Sequence, residues 1–242
     1  MNAQPLKTFR SVWMLLIVAV ILAACGGEEP EPTPVPPTST PLPEPAAADS
    51  GETIEVRTFT VVPDESTASY LVDEEFLGGA LAKLGIAEGE VDVIGTTQTL
   101  EGQLQLNLAD MAAPLGTNRF TVNLSTLKTD QDRRDNWIQE NGPEFGKFSL
   151  AEFVATGLSD TPKSYNDGDE VQFKMSGDLT IREITQAVTF DVTATLSGDT
   201  ITGVATVPLL MSDFGIEPPS FANTLTVKDA FTVQVDFVAR DN

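Results

Sequence analysis

The sequence predicts an all-β protein, an antiparallel barrel of about eight strands with one or two short helices. Three observations carry this. Apolar and polar residues alternate with period two from about Glu52 almost to the C-terminus, as strands with one buried and one wet face do. One such run, Val171 to Arg182, is about twelve residues long, a length that suits a barrel stave. Short glycine turns such as Ser197-Gly198-Asp199 separate the runs, as hairpins require.

The first segment is not part of that pattern. Lys7 and Arg10 precede an apolar run from Val12 to Ala24, too short for the ~20 residues of a spanning helix and followed at once by Cys25. Residues 1–24 therefore read as a signal peptide. Leu22-Ala23-Ala24-Cys25-Gly26 resembles the bacterial lipobox, in which the Cys sulfur receives a diacylglycerol, and Cys25 is the single cysteine of the chain. The expectation is a lipoprotein of the cell envelope, held by its N-terminal lipid with the domain on the extracytoplasmic side. Gly26 in place of Asp gives no signal for inner-membrane retention. Residues 25–51 hold half of the 16 prolines, interleaved with Glu, Thr and Ala; they read as an extended spacer with no core of its own. The barrel domain is assigned to residues 52–242.

Within the domain, Leu100, Gly102, Leu104, Leu106 and Leu108 share one face, and Phe120, Val122 and Leu124 continue the meander. Phe173, Met175, Gly177, Leu179 and Ile181 alternate with polar partners in the long run. Val188, Phe190, Val192, Ala194 and Leu196 do the same before the turn at Gly198, and Ile201, Gly203, Ala205 and Val207 follow it. Phe231, Val233, Val235, Phe237 and Ala239 form the last inward face. The count is eight to ten strands. Two stretches break the alternation. Asp132 to Asn141 reads as a short helix stopped by Gly142-Pro143, and Phe76 to Ala87 as a second short helix or a glycine-loosened loop.

Composition narrows function. With Lys+Arg 14 against Asp+Glu 36, the net charge of −22 opposes capture of nucleic acid. The absence of histidine removes the usual triad base and every His-bearing metal motif, and one cysteine leaves no thiolate site. No catalytic residue and no metal ligand is assigned. Asn166-Asp167-Gly168-Asp169-Glu170 has oxygen ligands but fails the calcium-loop spacing and reads as a hairpin turn. Asn123-Leu124-Ser125 is a formal glycosylation sequon without meaning on a bacterial interior strand. Asp130, Asp132, Arg133, Arg134 and Asp135 form either an anion-reading arginine fork or a charged first helical turn with Arg134 on local backbone; the second reading is preferred.

The order of segments from about Arg57 to Arg240 resembles the YceI-like family of periplasmic or secreted lipocalin-like barrels that bind polyisoprenoid lipids. The resemblance rests on Asp64-Glu65-Ser66 after the first strand, Leu127-Lys128-Thr129-Asp130 leading to Arg134-Asp135, Gly177-Asp178-Leu179-Thr180-Ile181, and Ser212-Asp213-Phe214-Gly215. Glu65 stands where the family usually has His, and Arg182-Glu183 where His-Gly is common. The resemblance implies a non-enzymatic carrier of a long apolar chain, prenyl-like or isoprenoid-quinone-like, with no cofactor beyond that bound lipid. The implied contacts are Phe76, Trp137, Phe145, Phe148, Phe153 and Phe214 from segments between strands, with Phe173 and Phe190 from inward strand faces. The pattern by itself equally allows these rings to pack on one another as a filled core, which would suit a structural or partner-binding lipoprotein. A two-carboxylate enzyme would need acids converging in a cleft, whereas the acids here fall mostly on wet strand faces. Oligomeric state is not legible.

Overall fold

The structure, a computed structural model, describes residues 56–77, 89–111, 115–116, 118–221 and 224–241. The segment expected to be a signal peptide, Cys25, the proline-rich segment and nearly all of the Phe76 to Ala87 stretch lie outside the described residues.

The described strands are β1 (Val56–Val61), β2 (Thr67–Phe76), β3 (Gly89–Thr97), β4 (Leu100–Asn107), β5 (Asn118–Asn123), β6 (Leu150–Ser159), β7 (Glu170–Ile181), β8 (Ile184–Ser197), β9 (Thr200–Leu210), β10 (Ser220–Phe221) and β11 (Leu225–Asp241). All pair antiparallel. The path β1-β4-β5-β6-β7-β8-β9-β11 closes on itself because β11 also pairs with β1. Two staves are built from two strands each. β1 and β2 lie end to end along β11, which meets Val61 at Ala239 and Thr67 at Asp236; β3 and β4 lie end to end on their other side. This makes an eight-stave closed barrel, and closure removes the exposed edges that an open sheet would present.

The join between β1 and β2 has a local cause. Pro63 starts a single 3-10 turn, Pro63–Glu65, since its ring cannot donate to a ladder. Ser66, 1% exposed, then spans the interrupted ladder: its Oγ donates to the Val62 carbonyl at 2.8 Å and accepts from the Val238 amide at 3.0 Å. Glu65 is half exposed and pairs with Arg240 at 2.8 Å, forming an exterior salt bridge.

The expected inward faces are the observed ones. Phe173, Met175, Leu179 and Ile181 of β7 are buried, as are Phe190, Val192 and Ala194 of β8. The β8–β9 turn falls at Gly198, whose φ is +59°, and Gly168 with φ +87° sits in the loop joining β6 to β7, in keeping with the hairpin reading of that acidic stretch. Leu124 departs from the meander: it enters a 3-10 turn, Leu124–Thr126, that follows β5.

One α-helix, α1 (Asp132–Glu140), lies between β5 and β6. Its N-terminal turn carries Asp132 and Asp135, placed well for the helix dipole. Asp135 is 3% exposed; its Oδ1 accepts from the amide and hydroxyl of Thr129, each at 2.8 Å. Arg134 does not serve local backbone, contrary to the expectation above. Its guanidinium reaches back to β2 instead, with the consequences described next.

Candidate functional site

The barrel interior holds a cavity of about 530 Å³, within the range of small-molecule sites. Antiparallel staves place their connections alternately at two ends. The α1 end carries the segment 124–149, the β7–β8 turn and the β9–β11 connection; the opposite end carries the β4–β5, β6–β7 and β8–β9 connections. The lining runs from Phe76, Trp137, Pro219 and Phe221 at the α1 end to Met111, Tyr165 and Leu196 at the other. Between them the wall is apolar, with Leu104, Phe153, Phe173, Met175, Phe190, Val192, Ala205, Phe231, Val233 and Phe237 among its members. Strand alternation puts these side chains inside. Their size and the barrel circumference leave the axis open.

The interior aromatic residues meet both edge to face and stacked. Phe153 and Phe190 have ring centroids 4.9 Å apart at 66°, and Phe120 stacks on Phe153 at 6.3 Å. Gly177 makes the first contact possible, because a Cβ there would come within 2.6 Å of the Phe153 ring.

Polarity on the wall gathers toward the α1 end. Glu74, in phase with Val72 and Phe76 on the inward face of β2, is 5% exposed. It binds Arg134 through two parallel hydrogen bonds of 2.9 Å, and Arg134 Nη1 also donates to Asp130 at 2.5 Å. Burial works to lower the Arg134 pKa, but the Glu74 and Asp130 carboxylates together outweigh it and hold the guanidinium above its ordinary value. The Tyr70 hydroxyl is buried with no hydrogen-bond partner among the described residues. Burial raises its pKa well above the ordinary 10, with neighbouring charges adding smaller and opposing effects. Tyr70 is thus neutral at physiological pH.

Six of the residues expected at the site, Phe76, Trp137, Phe145, Phe153, Phe173 and Phe190, line the cavity. Phe153 does so from strand β6 rather than from an irregular segment. Phe148 and Phe214 are not in the lining. Phe148 lies beneath the cations of Lys147 and Arg182, at 4.5 and 5.3 Å from the ring centre. Phe214, 0% exposed, ends the 3-10 turn Met211–Phe214 and packs in the core. Sequence reasoning missed Tyr70, Glu74 and Phe221, and it gave Arg134 a local backbone role. For Glu74 the signal was present, an acid in register with an apolar face; Phe221 sits in a segment with no periodicity to betray it. Among the described residues no cluster of His, Cys, Asp or Glu is arranged to hold a metal ion, and no helix is long and apolar enough to cross a membrane.

The sequence profile of the YceI-like domain matches residues 59–239, well over half the chain and the whole closed barrel apart from its outermost residues. The chain belongs to the YceI-like family. Two solved structures share the YceI-like fold seen here. BcnA of Burkholderia cenocepacia superposes with a TM-score of 0.55 at 17% identity, covering 74% of this chain and 98% of its own. A polyisoprenoid-binding domain from Saccharophagus degradans, implicated in plant cell wall breakdown, superposes with a TM-score of 0.51 at 12% identity, covering 74% of this chain and 99% of its own. No curated protein matches the chain.

Proposed function

We propose that this YceI-like protein is a non-enzymatic lipid carrier that shields a long apolar chain, polyisoprenoid or isoprenoid-quinone-like, inside its barrel. The observation that carries the reading is the open apolar interior of about 530 Å³. A filled core, the expectation for a purely structural or partner-binding barrel, would leave no such space. The polyisoprenoid-binding relative from Saccharophagus degradans supports the ligand class. At ~25 cal/mol per Å², burying about 400 Å² of hydrocarbon contributes on the order of 10 kcal/mol before ordering costs, sufficient for retention through purification. Among the described residues, the buried carboxylate of the lining, Glu74, has both oxygens engaged by Arg134.

The same reading places the protein in the cell envelope, tethered through a lipid on Cys25 with the barrel on the extracytoplasmic side. Its support is the charged, apolar, then Leu22-Ala23-Ala24-Cys25 order of the N-terminus. Organic extraction of the purified full chain, followed by mass spectrometry, tests the carrier function: a long-chain lipid in near-stoichiometric amount is expected. Well-folded protein that yields none, and that prenyl alcohols and quinones fail to stabilise, overturns it. Intact-mass measurement of the N-terminal peptide tests the tether, and an unmodified Cys25 in membrane-extracted protein overturns that part alone.

A further inference from the structure

The two ends of the cavity differ in what they show to solvent. At the α1 end, Phe221 is both part of the lining and 45% exposed. Its ring meets Trp137 edge to face, with centroids 6.3 Å apart at 72°. Arg133, exposed at the same rim, also lines the cavity. Neither its guanidinium nor the Trp137 indole N–H has a hydrogen-bond or ion-pair partner among the described residues. At the opposite end the exposed charged member of the lining is Asp169, whose carboxylate is held by the amide and side chain of Asn166 at 2.9 and 2.7 Å. One mouth is therefore aromatic with an unengaged cation; the other is acidic and internally satisfied.

We propose that the rim formed by Trp137, Phe221, Pro219 and Arg133 docks on the surface of a zwitterionic lipid bilayer, and that the ligand passes between bilayer and barrel through this mouth. The proposal rests on the carrier reading. A long hydrocarbon crossing open water would expose its whole length, so transfer is favoured where apolar protein surface is continuous with the apolar interior. Tryptophan is suited to the headgroup level, with an apolar body and one donor for an ester carbonyl. Arg133 can lay its stem along the boundary and reach a headgroup phosphate. The surface is zwitterionic rather than anionic because a chain of net charge −22 is repelled by anionic lipid, an effect that salt screens.

Trp13 and Trp137 are the only tryptophans, so the full chain carrying Trp13→Phe reports on the rim alone. It is reconstituted into phosphatidylcholine vesicles, with and without bromine on the acyl chains, and Trp137 emission is compared. Insertion to the headgroup boundary predicts quenching of about twofold by the brominated lipid. Phe221→Asp and, independently, Arg133→Glu should each remove most of that quenching while circular dichroism retains the β-signal. Adding phosphatidylglycerol at low salt should weaken the quenching, and added salt should restore it. Equal emission in the two vesicles overturns the docking surface, and stronger quenching by anionic vesicles overturns the zwitterionic assignment. Lipid extracted from the same purified chain before it meets vesicles separates this proposal from the one beneath it. Retained lipid without quenching defeats docking and leaves the carrier standing; quenching without any retained lipid does the reverse.

Discussion

Glu74 receives both arms of the Arg134 guanidinium, Nε on Oε1 and Nη2 on Oε2, each at 2.9 Å. The pair joins α1 to the inward face of β2 across 60 residues of sequence, and both side chains are nearly buried, 13% and 7% exposed. Such a pair is an orienting device more than a source of net stability, because desolvation offsets much of the attraction.

Removing one partner is therefore costlier than removing both. Glu74→Gln leaves a nearly buried guanidinium with the exposed Asp130 as its remaining charged partner and is expected to destabilise the domain by about 3 kcal/mol. Glu74→Leu combined with Arg134→Leu should cost clearly less. Urea denaturation of the two variants decides it; equal losses would mean that the charges contribute independently.

Gly177 faces Phe153 across the β6–β7 ladder, and a Cβ would also meet the Val154 carbonyl. That oxygen belongs to a paired strand and cannot swing aside. Gly177→Ala should lower stability by about 1–3 kcal/mol through overpacking and should shrink the cavity. A thermal midpoint equal to that of the parent would refute the close approach.

Filling the tube should displace the ligand without loss of the fold. Ala205 packs on the core and lines the cavity from β9, so Ala205→Phe adds a ring to the cavity side of the wall. Copurifying lipid should fall several-fold while the circular dichroism spectrum is unchanged. Undiminished lipid in a well-folded Ala205→Phe variant would place the ligand elsewhere.

The chain has no histidine, so no side chain with an ordinary pKa titrates between about pH 5 and 8, and stability should be flat there. Burial raises the Tyr70 pKa above its ordinary 10. The stability that comes from keeping the phenol neutral is fully present below pH 10 and is lost as pH rises beyond that value. At the acid side, Ser212 holds the Asp229 carboxyl below its ordinary 3.8, and that contribution is present above this value and lost as pH falls through the lowered pKa. Tyr70→Phe should flatten the alkaline limb at no cost near neutrality, since the hydroxyl has no partner to lose. Chemical denaturation from pH 3 to 11 checks both limbs, and an alkaline limb unchanged in Tyr70→Phe would assign it to another group.

The sequence by itself determined which side chains face inward. Alternation along a strand follows from the pleat, so Phe173, Met175, Phe190, Val192, Phe231, Val233 and Phe237 were assigned to the interior without any tertiary information. It also determined α1, because Asp132 to Glu140 lacks the alternation and Gly142-Pro143 ends it. What only the tertiary structure decided was the use of that interior. Whether inward rings meet across the axis or leave a tube depends on how many staves close the barrel, and no single strand carries that number. The Glu74–Arg134 pair and the Trp137–Phe221 contact are likewise made between segments far apart in the chain. Phe148 and Phe214 belong outside the lining for the same reason: each sits in a connection whose direction is set by the turn it closes and the neighbours that receive it. Period-two patterning is a local property of the backbone, whereas a cavity is what remains after all the walls have been placed.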